Sequence, residues 1–464
     1  MSAALELSRS VLSACTSPVA RRFEPLEGAP FGTRHISALR LDNGLRVLLL
    51  PDPRAKVFAW HTWFRVGSRH EKPGRTGIAH LFEHMMFKAT KRFGDGVFDR
   101  AMETRGAQTN AATWVDWTYY HEVLPSSRGN VDFVAEVEAD RMVNLVLNEK
   151  QLASEREVVI NERRYRVEDD PDGLLGERLS ALALGSHPYG WPTIGWMADI
   201  EAITLADCEA FYRAYYAPND ATVIAVGGFD PTDALESIVR HYGPLASSTL
   251  PVETVPPPPR LEGVTREEHA LELSTDRLYW GLLGPALDDP GGRALDVGIE
   301  ILCGGDGSRL HRKLVDKMEI ATSIDGFAPQ FRYPGLIEFA ATAREPGGHV
   351  AIEKELVEEL SRLGREGPTD AEVRKAKNQV ESAVYRASYA PNAVAGKLGF
   401  YDAAIGDFSA FERALTGIRM VTASDVKAAA ARWLDPERRA VVVGVPNGVV
   451  PGDDDGDDED GEAS

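Results

Sequence analysis

The sequence predicts an α+β protein built from two tandem, homologous halves, and three observations carry that expectation. Short runs rich in Val, Ile, Thr and aromatic residues alternate with longer amphipathic stretches along the chain. The segment 424–448, SDVKAAAARWLDPERRAVVVGVPNG, repeats 206–231, ADCEAFYRAYYAPNDATVIAVGGFDP: a helix, a proline (Pro436 for Pro218), then a β-branched strand. RLYWGLLGPAL (277–287) likewise parallels VFAWHTWFRVGS (57–68) at an offset of about 220 residues. Between the copies lies a Pro-rich polar stretch, ASSTLPVETVPPPPRLEG (246–263). Four consecutive prolines continue neither a helix nor a central strand, so this stretch reads as a linker.

A chain of 464 residues is too long for one ordinary core. The expected order is a flexible N-terminus (1–30), an N-terminal domain (31–245), the linker (246–263), a C-terminal domain (264–448) and an acidic tail (449–464). No apolar run approaches the ~18–20 residues that cross a bilayer, so no membrane span is expected. Residues 1–30 have no secretory signature and are only weakly presequence-like. Cys15, Cys208 and Cys303 are odd in number and far apart, which excludes a disulfide framework or a Cys-type zinc site. They fit a reducing compartment: the cytoplasm, or the mitochondrial matrix in a eukaryote. The net charge of −20 argues against a nucleic-acid partner. Eight of the acids fall in the last dozen residues, a composition expected to be solvated and disordered.

In chain order, 36–53 reads as two strands joined at Asp42-Asn43-Gly44, a hairpin signal, and 57–68 as a third strand. Gly74 and Gly77 punctuate the chain before a helix over 76–90, and a second helix, 98–107, ends at Gly106. The Thr-, Trp- and Tyr-rich stretch 107–125 reads as a strand, and 131–147 and 150–169 as helices.

The first helix, TGIAHLFEHMMFKAT, contains His80, Glu83 and His84 as H-x-x-E-H. In a helix His80 and His84 stack one turn apart on one face, where two imidazoles can share a metal ion. A catalytic zinc takes three protein ligands plus a water, and Glu83 is placed to reach that water. The order is that of the zincin motif inverted. Histidines on a partly apolar helix are more often satisfied core or surface residues, so the motif needs a third ligand. The helix 150–169 offers Glu155 and Glu162, seven residues apart and therefore on one face. By composition alone, Glu157 and the many arginines there describe an ordinary salt-bridged surface.

HLFEHMMFKAT followed by SEREVVINERR resembles the M16 peptidase family, the inverzincins of the pitrilysin, insulinase and mitochondrial processing peptidase type. The resemblance implies a third zinc ligand about 75–80 residues beyond the second His, the place of Glu162 relative to His84 here. It thus implies one Zn2+ per chain held by His80, His84 and Glu162, with Glu83 as general base. Glu155 would be an outer carboxylate holding the site in place. NAATWVDWTYY (110–120) is similar to the family's edge strand, which binds substrate peptide as an added strand. Asn110, Ala111, Ala112 and Thr113 would then contact the peptide. HPYGWPTIG (187–195) is a further landmark of this family.

The family also shares the duplication, as two mostly antiparallel sheets packed with helices that form one half of a clamshell. The second copy, ALDVGIEILCGGDGSRL (294–310), has no H-x-x-E-H. Active members of the family use an Arg–Tyr pair in a C-terminal half; anchored on GSRLHRKL (307–314), those positions hold Val315 and Thr322. The resemblance therefore implies the catalytic subunit of a heterodimer whose M16-like partner supplies that pair, with a homodimer as the alternative. The second function class is a non-catalytic scaffold or core subunit of the same fold.

Overall fold

The structure, a computed structural model, describes residues 3–448. The acidic tail expected at 449–464 lies outside the described residues.

The segment expected as a flexible N-terminus carries structure instead. Helix α1 (Ala3–Ser13) packs on strands β1 (Phe23–Phe31) and β2 (Arg34–Leu41), with the short helix α2 (Ser17–Ala20) between. Ser8 is buried, and its Oγ accepts from Ala38 N at 3.0 Å. Pro25 and Pro30 argue against a strand in the sequence. They are tolerated because β1 is an outermost strand, with its register broken between Leu26 and Ala29.

β2 and β3 (Arg46–Pro51) form the expected hairpin, with Gly44 at φ +93° in its turn. β4 (Val57–Phe64) and helices α3 (Ile78–Met85) and α4 (Val97–Thr104) follow. The stretch 107–125 is two strands, β5 (Gln108–Thr113) and β6 (Thr118–Pro125), rather than one. The chain reverses between Trp114 and Trp117 because Asp116 is drawn inward: it accepts from Arg69 Nε at 2.6 Å and Tyr189 Oη at 2.8 Å. Next come α5 (Arg128–Asn144), α6 (Glu149–Arg163), α7 (Pro171–Leu184), α8 (Met197–Ala202), α9 (Leu205–Tyr215), β7 (Ala221–Gly227) and α10 (Pro231–His241). The first sheet has the order β1-β2-β3-β7-β4-β6-β5, with only β3 and β7 parallel.

The linker 246–263 has no helix or strand but is docked. Its Glu253 pairs with Arg69 and lies 3.3 Å from His70 Nε2. The second half runs β8 (Val264–Leu271), β9 (Arg277–Leu283), α11 (Gly292–Cys303), β10 (Ala321–Phe327), β11 (Leu336–Ala343), α12 (His349–Glu366), α13 (Asp370–Arg386), α14 (Pro391–Ile405), α15 (Ala410–Met420), α16 (Ala423–Trp433) and β12 (Arg439–Pro446). Its sheet has the order β10-β11-β9-β12-β8, with β12 and β8 parallel. This is β5-β6-β4-β7-β3 over again.

Each half keeps its own core between sheet and helices. The other face of each sheet is covered by a helix of the opposite half. α7 lays Leu175 and Leu179 on β9 and β12, and α14 lays Val394, Ala395 and Leu398 on β4 and β7. No helix among the described residues is long and apolar enough to cross a membrane.

Candidate metal centre

α3 is short and needs outside anchoring. Its first N–H groups have no intrahelical acceptor. Buried Glu71 supplies one, accepting from Gly77 N at 2.9 Å and Ala79 N at 2.8 Å. Burial pushes its carboxyl well up, and these two bonds pull it back. Gly77 (φ +87°) and Gly195 (φ +90°) touch backbone to backbone, and a Cβ on Gly195 would lie 2.5 Å from Gly77 Cα. Thr76 Oγ1 donates to Asp199 at 2.7 Å and accepts from Trp196 N at 3.0 Å. The helix is thus held from both sides, with Leu81, Phe82 and Met85 in the core and His80, Glu83 and His84 on its other face.

α6 packs against α3 and brings Glu155 and Glu162 to that face. The ligand atoms of His80, His84 and Glu162 lie within 4.8 Å of one another. Glu162 Oε2 is 3.7 Å from His80 Nε2 and 3.4 Å from His84 Nε2. Glu155 Oε2 stands 3.9 Å from His84 Nδ1, and its other oxygen pairs with Lys88 Nζ at 2.7 Å. An outer carboxylate facing the second nitrogen of an imidazole is the usual way a ligand ring is oriented.

Electrostatics differ from residue to residue. Burial first, then neighbouring His84, pushes the His80 imidazole down to about 4, so it stands neutral as a ligand must. Burial works to lower His84 as well, but Glu162 and the nearby carboxylates outweigh it and raise the group. The hydrogen bond from His84 holds Glu162 below the usual carboxylate value, against its burial. Burial raises the Glu83 carboxyl, and hydrogen bonds from Thr113 oppose the rise.

The donor set fits a divalent ion of the zinc type: two neutral-capable imidazoles and one carboxylate converging on one point. Among the described residues this is the one such convergence of three ligand groups.

β5 flanks the site as an edge strand, with no partner strand on its far side among the described residues. Asn110, Ala111, Ala112 and Thr113 pair with His121, Tyr120, Tyr119 and Thr118 of β6. Asn110 is exposed, and Thr113 meets Glu83. Lys88, Arg166 and the Thr113–Glu83 contact escaped the sequence reading. Arg166 pairs with Glu162 Oε1 at 2.9 Å. Helical spacing could have found one of them, since Arg166 is four residues from Glu162. Val315, at one expected Arg–Tyr position, packs against the second core; Thr322 lies exposed on β10.

Two family models match the chain, "Insulinase (Peptidase family M16)" over residues 46–195 and "Peptidase M16 inactive domain" over 202–380. Zinc protease PqqE of Helicobacter pylori is 33% identical over 346 residues, covering 73% of this chain and 77% of that one. An uncharacterized zinc protease of Mycobacterium leprae is 28% identical over 410 residues, covering 87% and 90%. The crystal structure of a protease from Helicobacter pylori superposes with a TM-score of 0.83 at 29% identity, covering 89% of this chain and 99% of that one.

Proposed function

Since the chain belongs to the M16 peptidase family, we propose that it is a zinc-dependent endopeptidase whose chemistry sits in the N-terminal domain (31–245). The observation that supports this most is the convergence of His80, His84 and Glu162, with Glu83 on the same helix face. These three residues would hold one zinc ion per chain. A zinc ion bound there supplies Lewis acidity and a nucleophile competent at neutral pH. Glu83, its carboxyl raised by burial, takes a proton from the attacking water on a carboxylate oxygen and passes it to the leaving amine. Thr113 fixes that carboxylate. Glu155, held by Lys88, is a positioning residue that orients His84. The free edge of β5 takes the substrate as an added strand along Asn110, Ala111, Ala112 and Thr113.

Val315 and Thr322 favour a split site, in which an M16-like partner chain contributes the missing Arg and Tyr; a homodimer is the alternative. The same two residues favour a second reading, a non-catalytic scaffold subunit in the C-terminal domain's image. The free Cys15, Cys208 and Cys303 suit a cytoplasmic setting.

The test is metal content and cleavage of a mixed peptide pool, by the chain alone and with its co-purified homologue. Glu83→Gln is expected to keep one zinc and lose at least about 10³-fold in turnover. His80→Ala is expected to lose the zinc. Near-normal turnover in Glu83→Gln removes the assigned base. Zinc bound with no cleavage in either format moves the chain to the scaffold class.

A further inference from the structure

We propose that the groove between α11 and α13 binds an acidic peptide segment bearing a bulky apolar side chain, and that this segment belongs to the substrate. The assignment to the substrate rests on the peptidase reading; the binding itself does not.

α11 and α13 pack side by side as α3 and α6 do. Counted from the first helical residue, the seventh and fourteenth positions are Glu155 and Glu162 in α6 but Ala376 and Ala383 in α13. The acids are gone, and cations line the groove instead. A groove of about 1080 Å³ holds Arg374, Lys375, Arg386 and Lys397 against one carboxylate, Glu300. Glu300 lies near Lys375. The Arg374 side chain has no partner among the described residues. Arg386 donates to Ser382 Oγ at 2.5 Å. Lys397 is half buried, its ammonium 5.5 Å over the Phe411 ring with no carboxylate paired to it among the described residues, and burial pushes that ammonium down. An incoming carboxylate would relieve that desolvation and make charge-assisted bonds. Four cations around one acid are unexpected on a chain of net charge −20.

The groove adjoins a second cavity, of about 610 Å³, with which it shares walls at Val380, Val384, Ala387 and Lys397. That cavity is largely aromatic: Trp63 and Tyr119 from the first sheet and Trp117 from the turn before β6 meet Phe400 and Phe411 from the second half, and its one acid, Asp296, is paired with Arg293 at 3.0 Å. Tyr119 pairs with Ala112 of β5, so the cavity begins one strand in from the edge that would hold the substrate. The chain's own tail, PGDDDGDDEDGEAS, has the charge but no aromatic or branched aliphatic side chain. It can satisfy the cations but not the cavity, whereas an acidic–aromatic substrate segment satisfies both.

The test is fluorescence anisotropy with a labelled Asp-Glu-Asp-Phe-Glu-Asp peptide on the full chain carrying Glu83→Gln, where cleavage plays no part. Binding is expected to weaken at least about tenfold between low and 0.5 M salt, and by a similar factor with R374E/R386E, both at exposed positions. Replacing the peptide Phe by Ser is expected to cost about another tenfold. Equal affinity for a peptide with Lys in place of the acids, or indifference to the charge reversal, overturns the site. Replacing the eight tail acids by amides should leave affinity unchanged; tighter binding would make the tail the occupant and overturn the substrate assignment. If the peptide binds while the wild-type chain cleaves nothing, either alone or with its co-purified homologue, the peptidase reading falls and the groove stands. If peptides are cleaved with no preference for acidic–aromatic sequences and none binds, the groove falls and the peptidase stands.

Discussion

The two halves repeat one sheet around two different grooves. β3-β7-β4-β6-β5 in the first becomes β8-β12-β9-β11-β10 in the second, with the single parallel pair in the same place. The repeat extends to side chains: the eleventh and fourteenth residues of α5, Glu138 and Arg141, recur as Glu359 and Arg362 of α12, each an i,i+3 ion pair. What differs is the surface between paired helices. It carries imidazoles and carboxylates between α3 and α6, and a groove along α13, between Glu300 of α11 and Lys397 of α14, whose charged groups are mostly cations. The cores that define the fold lie under these helices, so the grooves are free to change while the sheets stay.

The largest effect that sharpens this contrast is at the metal groove. Glu162→Ala is expected to abolish metal retention and lower cleavage by at least about 10³-fold, read by metal analysis and peptide turnover. Ala383→Glu in the second half should bind no metal, because α11 brings no imidazole to it. Metal binding there would break the contrast.

The repeated ion pair offers the next test. Arg141 is buried between Glu122 and Glu138, packed on the Tyr120 ring. Arg141→Ala strands buried carboxylates and is expected to cost about 3–5 kcal/mol in chemical denaturation. Arg362, 41% exposed, should cost about 0–1 kcal/mol on the same change. Equal costs would mean that the two pairs do the same job.

The exchanged helices should make the halves unfold together. Leu179→Ala and Leu398→Ala each empty a buried position against the opposite sheet. Each is expected to cost about 2–5 kcal/mol and to shift one transition rather than one of two. Separate transitions in calorimetry would show the halves to be independent.

The smallest effect is graded with pH. His61 lies under α14, bonded to Asn392 Oδ1 at 2.7 Å and stacked on His121 and Tyr119. Burial first, then His121, lowers it to about 3. The unfolded state therefore takes up a proton near pH 6.5 that the folded state refuses until about 3. Stability from this group is complete above pH 6.5 and falls by at most about 1.4 kcal/mol per pH unit below it. His61→Gln should flatten that slope; an unchanged slope would assign the acid sensitivity to other groups.

Much of this was legible in the sequence, and the rest has physical reasons for hiding. The turn at Asn43-Gly44, the stacked His80 and His84 and the one-face pair Glu155 and Glu162 are local periodicities. The break between β5 and β6 is not local: Asp116 turns the chain because Arg69 and Tyr189, far away in sequence, receive it. β1 was hidden by Pro25 and Pro30, which only an edge position accommodates. The buried leucines of α7 and the apolar run of α14 meet the opposite half's sheet, a pairing no local pattern states. The Glu83–Thr113 contact joins a helix to a strand whose register the sequence does not state.

The crossing of α7 and α14 has the form of a swapped dimer drawn in a single chain: equivalent elements exchanged between equivalent bodies. As two separate molecules, such a pair would keep or lose its ligands in both copies at once, because one gene would write both. Joined through 246–263, the copies hold each other at a fixed effective concentration while their sequences drift apart. One can then keep the converging His80, His84 and Glu162 while the other becomes a basic trough, and neither can be cut away without uncovering the other's sheet.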